Sequence, residues 1–413
     1  MQTEEITATT SIIAREQQYG AHNYSPLPVV LTRGEGVYVW DVDGNRYYDF
    51  LSAYSAVNQG HCHPKIIAAL VDQAQKITLT SRAFYNDCLG TAEEYICRYF
   101  GYDKALFMNS GAEAVETAIK LVRKWAYEKK GIPADHAQIL VVGQNFHGRT
   151  TGIISFSSDP ESTTGFGPMM PGFITIPYND LQALENALSE NPDICGFLVE
   201  PIQGEAGVIV PDEGYLKQAH ELCKKFNVKL LADEIQTGLG RSGKLLASEY
   251  DEVHADILIL GKALSGGVMP VSVVLSDDEI MLCIKPGEHG STFGGNPLAA
   301  RVTVAGLEVI REEGLADNAF VMGNLFRTRM LELQAARPDL IAAVRGRGLL
   351  NALQIIPLNV HGTAGEVCME LMKKGLLCKP THKHTIRFSP PLVINEAQVL
   401  ECCHTIAQVI LNF

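Results

Sequence analysis

The chain has 413 residues, 46% of them hydrophobic and 20% charged, with a formal net charge of −13, a length at which two packed units sharing an interface are expected rather than one small core. The acidic balance argues against attraction to phosphate backbones or anionic lipid, and no apolar run approaches the ~18 residues of a membrane span, so the chain reads as a soluble protein with neither nucleic acid nor membrane as partner. Any anionic ligand must then be caught by individual arginines.

In chain order, residues 1–20 (MQTEEITATTSIIAREQQYG) show neither the apolar core of a secretory signal nor the arginine-rich, acid-poor character of a transit peptide. Cytoplasm is therefore the default compartment, with the mitochondrial matrix open if a presequence has been removed. Residues 37–50, VYVWDVDGNRYYDF, predict two antiparallel strands with Asp43-Gly44 at the turn, an N-terminal flap. Short β-type runs at 138–142 (QILVV), 196–199 (GFLV), 228–231 (VKLL) and 257–260 (ILIL) are then separated by longer helical patterns. That alternation implies βαβ units and an α/β fold with a mostly parallel central sheet flanked by helices. After about residue 300 the pattern shifts to stretches read as helical, VTVAGLEVIREEG (302–314) and the glycine-punctuated VRGRGLLNALQI (344–355). The expected division is an N-terminal segment (1–53) packing with the small domain, a large domain (54–300) and a smaller α+β C-terminal domain (301–413). The ten cysteines form no C-x-x-C pair, and the adjacent Cys402 and Cys403 lie in an apolar helical pattern, so reduced, buried thiols are expected.

Asp233 stands directly after the strand-like VKLLA, and Lys262 directly after DILILG. Ligands of open α/β sheets bind beyond the carboxyl ends of the strands, so both side chains project toward one crevice. A carboxylate and an amine there suit pyridoxal 5'-phosphate: the lysine forms an imine with the aldehyde, and the aspartate keeps the pyridine nitrogen protonated so that the ring acts as an electron sink. An ion pair between two strand ends would use the same residues. The segment Asn109-Ser110-Gly111-Ala112-Glu113 opens a helical pattern; Ser110 with Glu113 is a capping box, Gly111 lets the backbone come close, and the freed amides at the helix start make an anion site, although an ordinary capped helix has the same signature. Ser291-Thr292-Phe293-Gly294-Gly295-Asn296 offers hydroxyls and flexible backbone as a second candidate.

Two other patterns point elsewhere. Gly238-Leu239-Gly240-Arg241-Ser242-Gly243 matches a dinucleotide fingerprint, but residues 233–237 separate it from the strand and no helix pattern opens behind it, and the near match to a phosphate-binding loop fails at Leu245; a plain loop is expected. His61-Cys62-His63 and His382-Lys383-His384 have no second ligand pair at zinc spacing, so no metal is expected.

Taken together, the runs SGAEAVETAIKLVRKW, FHGRTTG, EPIQGEAG, LLADEIQTGLGRSG, LGKALSGG and GSTFGGNPLA resemble, in order and spacing, the class III (ω-amino acid) aminotransferases of fold type I among pyridoxal-phosphate enzymes. The resemblance runs along nearly the whole chain. Within the family, GAHNYSPLPVVL, SAYSAVNQGHCHP, LTSRAFYND, GFGPMMPGF, IKPGEHGSTFGGNP and KPTHKHTIRFSPPL are most similar to the members that use ornithine. The resemblance implies that Lys262 carries the cofactor and shuttles a proton, that Asp233 partners the pyridinium, that Gln236 contacts the ring hydroxyl and that Phe146 stacks on the ring. It implies that Ser110, Gly111 and Ala112 hold the phosphate, joined by Thr292 from the neighbouring subunit of a homodimer. Tyr24 and Arg149 would bind the α-amino and α-carboxylate groups of L-ornithine, Tyr54 would line the pocket, and Arg387 would bind 2-oxoglutarate after pairing with Glu205 in the first half-reaction. Ser110-Gly111-Ala112, where some ornithine-using members carry Thr-Gly-Val, and His147 beside Phe146 follow the wider class. They keep acetylornithine and 4-aminobutyrate as alternative substrates, and a non-catalytic dimer of the same fold is the alternative outside catalysis.

Overall fold

A computed structural model describes residues 8–357 and 363–413; residues 1–7, the start of the segment read above for a leader, lie outside the described residues. The expected alternation gives a seven-stranded sheet in the order Lys104–Met108, Ser272–Ser276, Ile257–Leu260, Lys229–Asp233, Ile194–Val199, Gln138–Val142, Phe173–Ile176. The strands from Ile257–Leu260 to Phe173–Ile176 pair in parallel, and Ser272–Ser276 runs antiparallel to both its neighbours. The central runs at Ile194–Val199, 230–232 and Ile257–Leu260 are near-continuously apolar because both faces are covered. Ile139, Val141, Leu198, Leu231 and Ile259 pack under the helix Gly111–Trp125 on one face. Leu140, Val142, Phe197, Val199 and Leu230 pack against the helices Leu181–Glu190 and Tyr215–Lys225 on the other.

The N-terminal hairpin forms as read: Tyr38–Asp41 pairs antiparallel with Arg46–Asp49, with Gly44 in the left-handed region at the turn. Leu376–Leu377 joins its edge in parallel, tying the flap to the C-terminal region. That region holds a four-stranded antiparallel sheet, Ile341–Arg347, Leu350–Ile355, Thr385–Phe388 and Lys379–Thr381. Its first two strands correct the helical reading of VRGRGLLNALQI. Gly348 takes a φ of 54° at the turn, and a Cβ there would lie 2.2 Å from the backbone of Ser242. Glycine therefore marks a tight hairpin rather than a break in a helix.

The helix Pro297–Glu312 starts where Asn296 accepts from the Ala299 amide at 2.9 Å with proline at the first helical position, so the Gly-rich run before it ends in a capped helix. Arg241 explains the false dinucleotide pattern: fully buried, it donates to Asn58 Oδ1 at 2.6 Å, Leu349 O at 2.9 Å and Pro390 O at 2.6 Å. The surrounding glycines serve close packing of that loop, since a Cβ on Gly243 would lie 3.1 Å from Phe320. All ten cysteines are free thiols; the expectation of burial fails at Cys62, which is exposed, and in part at Cys97. Among the described residues no helix is long and apolar enough to cross a membrane, and no three His, Cys, Asp or Glu side chains converge as metal ligands. His61 and His63 turn instead to different carboxylates, Asp49 at 2.7 Å and Glu313 at 2.8 Å.

Candidate active site

Asp233 ends its strand and is 4% exposed. Lys262 follows the neighbouring strand through Gly261 and opens a short 3-10 turn with φ at 45°. Both lie in a cavity of about 180 Å³ with Gly111, Phe146, His147, Glu200 and Gln236. They do not pair with each other: Asp233 Oδ2 accepts from His147 Nδ1 at 2.6 Å and Oδ1 accepts from the Ile235 amide at 3.1 Å. Among the described residues Lys262 Nζ makes no hydrogen bond or ion pair, and Asp233 pairs with His147 instead, which removes the strand-end ion pair as an account of the two residues. Burial pushes the lysine below its usual range; the charges of Glu205 and Asp233 oppose this and that of Arg387 adds to it. The buried Glu200 accepts from the amides of Phe146 at 3.0 Å and Gly204 at 3.3 Å, and burial raises its carboxyl to about 7 against the pull of His147.

The capping box is real. Ser110 Oγ accepts from the Glu113 amide at 3.2 Å and Glu113 Oε2 accepts from the Ser110 amide at 2.6 Å. This uses the Ser110 N–H but leaves those of Gly111 and Ala112, at the first two helical positions, for a ligand. Ser272 Oγ donates to Ser110 O at 2.7 Å and steadies the cap. A Cβ on Gly111 would meet Ile235 at 3.0 Å, so this glycine allows the close approach of helix and sheet. Gln236 Nε2 donates to Glu205 Oε1 at 3.0 Å, while its Oε1 is buried without a partner. Gly204 makes room for it: a Cβ there would fall 1.4 Å from that oxygen.

Arg387, on the strand Thr385–Phe388, is 1% exposed; its Nη1 donates to Glu205 Oε1 at 2.5 Å and its guanidinium lies 5.1 Å from the centre of the Tyr54 ring. Burial would raise the Glu205 carboxyl, but Arg387 and Lys262 more than offset it and hold it below its usual range. Tyr54 reaches this point through an unusual turn. Ser52, Ala53, Tyr54 and Ser55 all have positive φ, between 47° and 73°, an arrangement that costs L-residues about 1–2 kcal/mol each. Asp49 Oδ1, accepting from the Leu51 and Ser52 amides at 2.8 Å each, secures the entry to this turn.

Of the other expected site residues, Phe146 is half-buried in the cavity wall with the exposed Arg149 guanidinium 5.8 Å from its ring centre. Tyr24 is 71% exposed, and no hydrogen bond joins it to Tyr54. Thr292 is exposed and does not line the cavity of its own chain. Two residues that motif reading left without a role stand at the centre, His147 and Glu200. Their signal was faint: each adjoins a recognised residue or loop, but only the folded chain turns them toward Asp233.

The model of the family described as aminotransferase class-III matches residues 19–410. The mitochondrial ornithine aminotransferase of Drosophila melanogaster is 60% identical over 401 residues, 97% of this chain and 91% of that protein. The crystal structure of the ornithine aminotransferase from Toxoplasma gondii superposes with a TM-score of 0.96 at 48% identity, covering 99% of this chain and 96% of that one. The acetylornithine aminotransferase from Elizabethkingia anophelis superposes with a TM-score of 0.91 at 55% identity, covering 99% and 100%.

Proposed function

The chain belongs to the class-III aminotransferase family, and from that premise we infer that it is an ornithine δ-aminotransferase dependent on pyridoxal 5'-phosphate. It transfers the δ-amino group of L-ornithine to 2-oxoglutarate, giving glutamate 5-semialdehyde and glutamate in two half-reactions at one site. The cavity fits this cofactor by its own chemistry: an amine at Lys262 that has no partner among the described residues, a buried carboxylate at Asp233, an unpartnered amide oxygen at Gln236 and unused helix-start amides at Gly111 and Ala112. When bound, the cofactor supplies an electron sink for charge developing at the amine-bearing carbon.

The residues divide the remaining work. Lys262 Nζ, whose pKa burial lowers, would attach the cofactor, take the proton from the δ-carbon and deliver it across the site. Asp233 holds the proton on the ring nitrogen, Gln236 binds the ring hydroxyl, Phe146 covers the ring face, and Ser110, Gly111 and Ala112 bind the phosphate. Tyr24 and Arg149 hold the α-amino and α-carboxylate groups of ornithine, with Tyr54 as the wall. The observation that carries the substrate reading is the Glu205–Arg387 pair beside Tyr54. A masked arginine lets one pocket take a substrate with a distal amine, then expose a cation for a dicarboxylate.

The same reading makes the molecule a homodimer in which Thr292, exposed here, completes the phosphate site of the partner subunit; the exposed Phe84, Tyr85 and Phe293 suit burial in that contact. Light scattering of the purified protein tests it. Cytoplasm is the expected compartment, whereas the fly relative is named mitochondrial, and fractionation of cells decides between them.

An absorbance scan of the holoenzyme with and without L-ornithine tests the activity. Ornithine should abolish the cofactor band, 2-oxoglutarate should restore it, and the Lys262→Ala protein should retain no borohydride-reducible adduct. A second reading, N-acetylornithine as the amine donor, draws on the 55% identity to the Elizabethkingia enzyme. It wins if N-acetylornithine bleaches the band faster than ornithine.

A further inference from the structure

The imidazole of His147 is buried and has one polar partner. Nδ1 lies 2.6 Å from Asp233 Oδ2, while Nε2 is enclosed with nothing to bond. Burial disfavours its cation, but the hydrogen bond and charge of Asp233 outweigh that and favour it. In either protonation state Nδ1 carries the hydrogen, since a carboxylate can only accept. Among the described residues no lysine or arginine lies within ion-pair distance of Asp233, so its oxygens are directed by two donors: His147 at Oδ2 and the Ile235 amide at Oδ1. The backbone amide is fixed by the strand end, which leaves His147 as the side chain that sets the rotation of the carboxyl plane. Besides Asp233, the charge acting on His147 is Glu200, itself tied to the amides of Phe146 and Gly204, and Lys262 also interacts with Asp233 through its charge.

We propose that His147 is a positioning residue: its Nδ1–H locks the Asp233 carboxylate in the orientation that meets the ring nitrogen, and so sets how tightly the cofactor is held. The inference rests on the cofactor reading above and goes beyond it by assigning the group that orders the ring-binding carboxylate. A bland account competes with it, in which the ring fills space near Phe156, whose centre is 5.9 Å away. The two accounts rank substitutions in opposite order. Asparagine can place an N–H near the position of Nδ1 but leaves a void; phenylalanine fills the void but has no donor.

The test uses apoenzyme prepared from wild-type, His147→Asn and His147→Phe holoenzymes and titrated with pyridoxal 5'-phosphate, with kcat and KM measured for both substrates after reloading. A hydrogen bond to a charged group predicts about tenfold or greater loss of cofactor affinity in His147→Phe. His147→Asn should stay within about threefold of wild type by the same reasoning. In His147→Phe, kcat should fall in both half-reactions while KM for ornithine and 2-oxoglutarate holds, because Asp233 serves both and touches neither substrate. Equal affinities for the two variants, or a weaker His147→Asn, would overturn the proposal. Should His147→Phe not fold, wild type and His147→Asn decide: a far-downfield imidazole proton must be present in wild-type apoenzyme, absent from His147→Asn, and must move when the cofactor is added. A proton that does not move overturns it. If wild type binds no pyridoxal 5'-phosphate, it is the function reading that fails.

Discussion

Replacing Glu205 with alanine separates the two halves of the proposed reaction. Arg387 is 1% exposed, and Glu205 is the carboxylate that meets it, at 2.5 Å. Removing one member of a buried pair costs about 3–5 kcal/mol because the other charge is left uncompensated. The Glu205 side chain is 26% exposed, so water can enter in its place, and we expect about 2–3 kcal/mol, at or just below the bottom of that range. Glu205→Ala should therefore lower Tm by several degrees. The sign with pH follows from the depressed carboxyl: its contribution is present above the ordinary glutamate range and fades as pH falls through the lowered folded value, so wild type and variant should converge in acid. The second substrate should respond oppositely. In wild type, 2-oxoglutarate must displace Glu205 to reach Arg387; in the variant that work is gone, and kcat/KM for 2-oxoglutarate relative to ornithine should rise about tenfold or more. Saturating 2-oxoglutarate should also restore much of the lost Tm by refilling the site with a carboxylate. Single-turnover kinetics of each half-reaction, with melts with and without the oxo acid, measure both effects. An unchanged ratio would refute the masking argument even if stability fell.

Two further outcomes follow from the site geometry. Glu200 titrates near 7 in the folded protein and near 4.5 otherwise, so its contribution to stability is full below about 4.5 and is lost as pH rises through 7, an effect on the order of 3 kcal/mol. Denaturant titrations should accordingly show Glu200→Gln gaining on wild type by about that amount between pH 4.5 and 8, and parallel curves would exclude the raised carboxyl. Gly204→Ala forces a Cβ to within 1.4 Å of Gln236 Oε1. Gln236 is buried and must swing off Glu205, at about 1–3 kcal/mol, so cofactor affinity should drop while the far-ultraviolet spectrum stays unchanged.

Much of this could be read from single segments because the signals are local. Strands covered on both faces are apolar without alternation, so the runs at 138–142 and 257–260 declare themselves, and so does the capping box at Ser110 and Glu113. Strand ends carrying an acid and an amine announced Asp233 and Lys262. The hairpin 341–355 was misread because apolar spacing around Gly346 and Gly348 suits a helix as well as strands. The choice was made by Gly348 packing on Ser242, a contact about a hundred residues away along the chain. Cys62 was misjudged for the same reason, since thiol burial depends on what covers a loop.

The amino-acid order by itself determined the α/β architecture, the family and most of the residues gathered in the candidate site, since these depend on periodicity, capping and residue type within short windows. The tertiary structure decided the partnerships. That Asp233 bonds to His147 and leaves Lys262 free, that Glu205 masks Arg387, and that four left-handed residues carry Tyr54 beneath it are choices among competing partners. A local pattern offers such partners; only burial, by removing water as the alternative, selects among them.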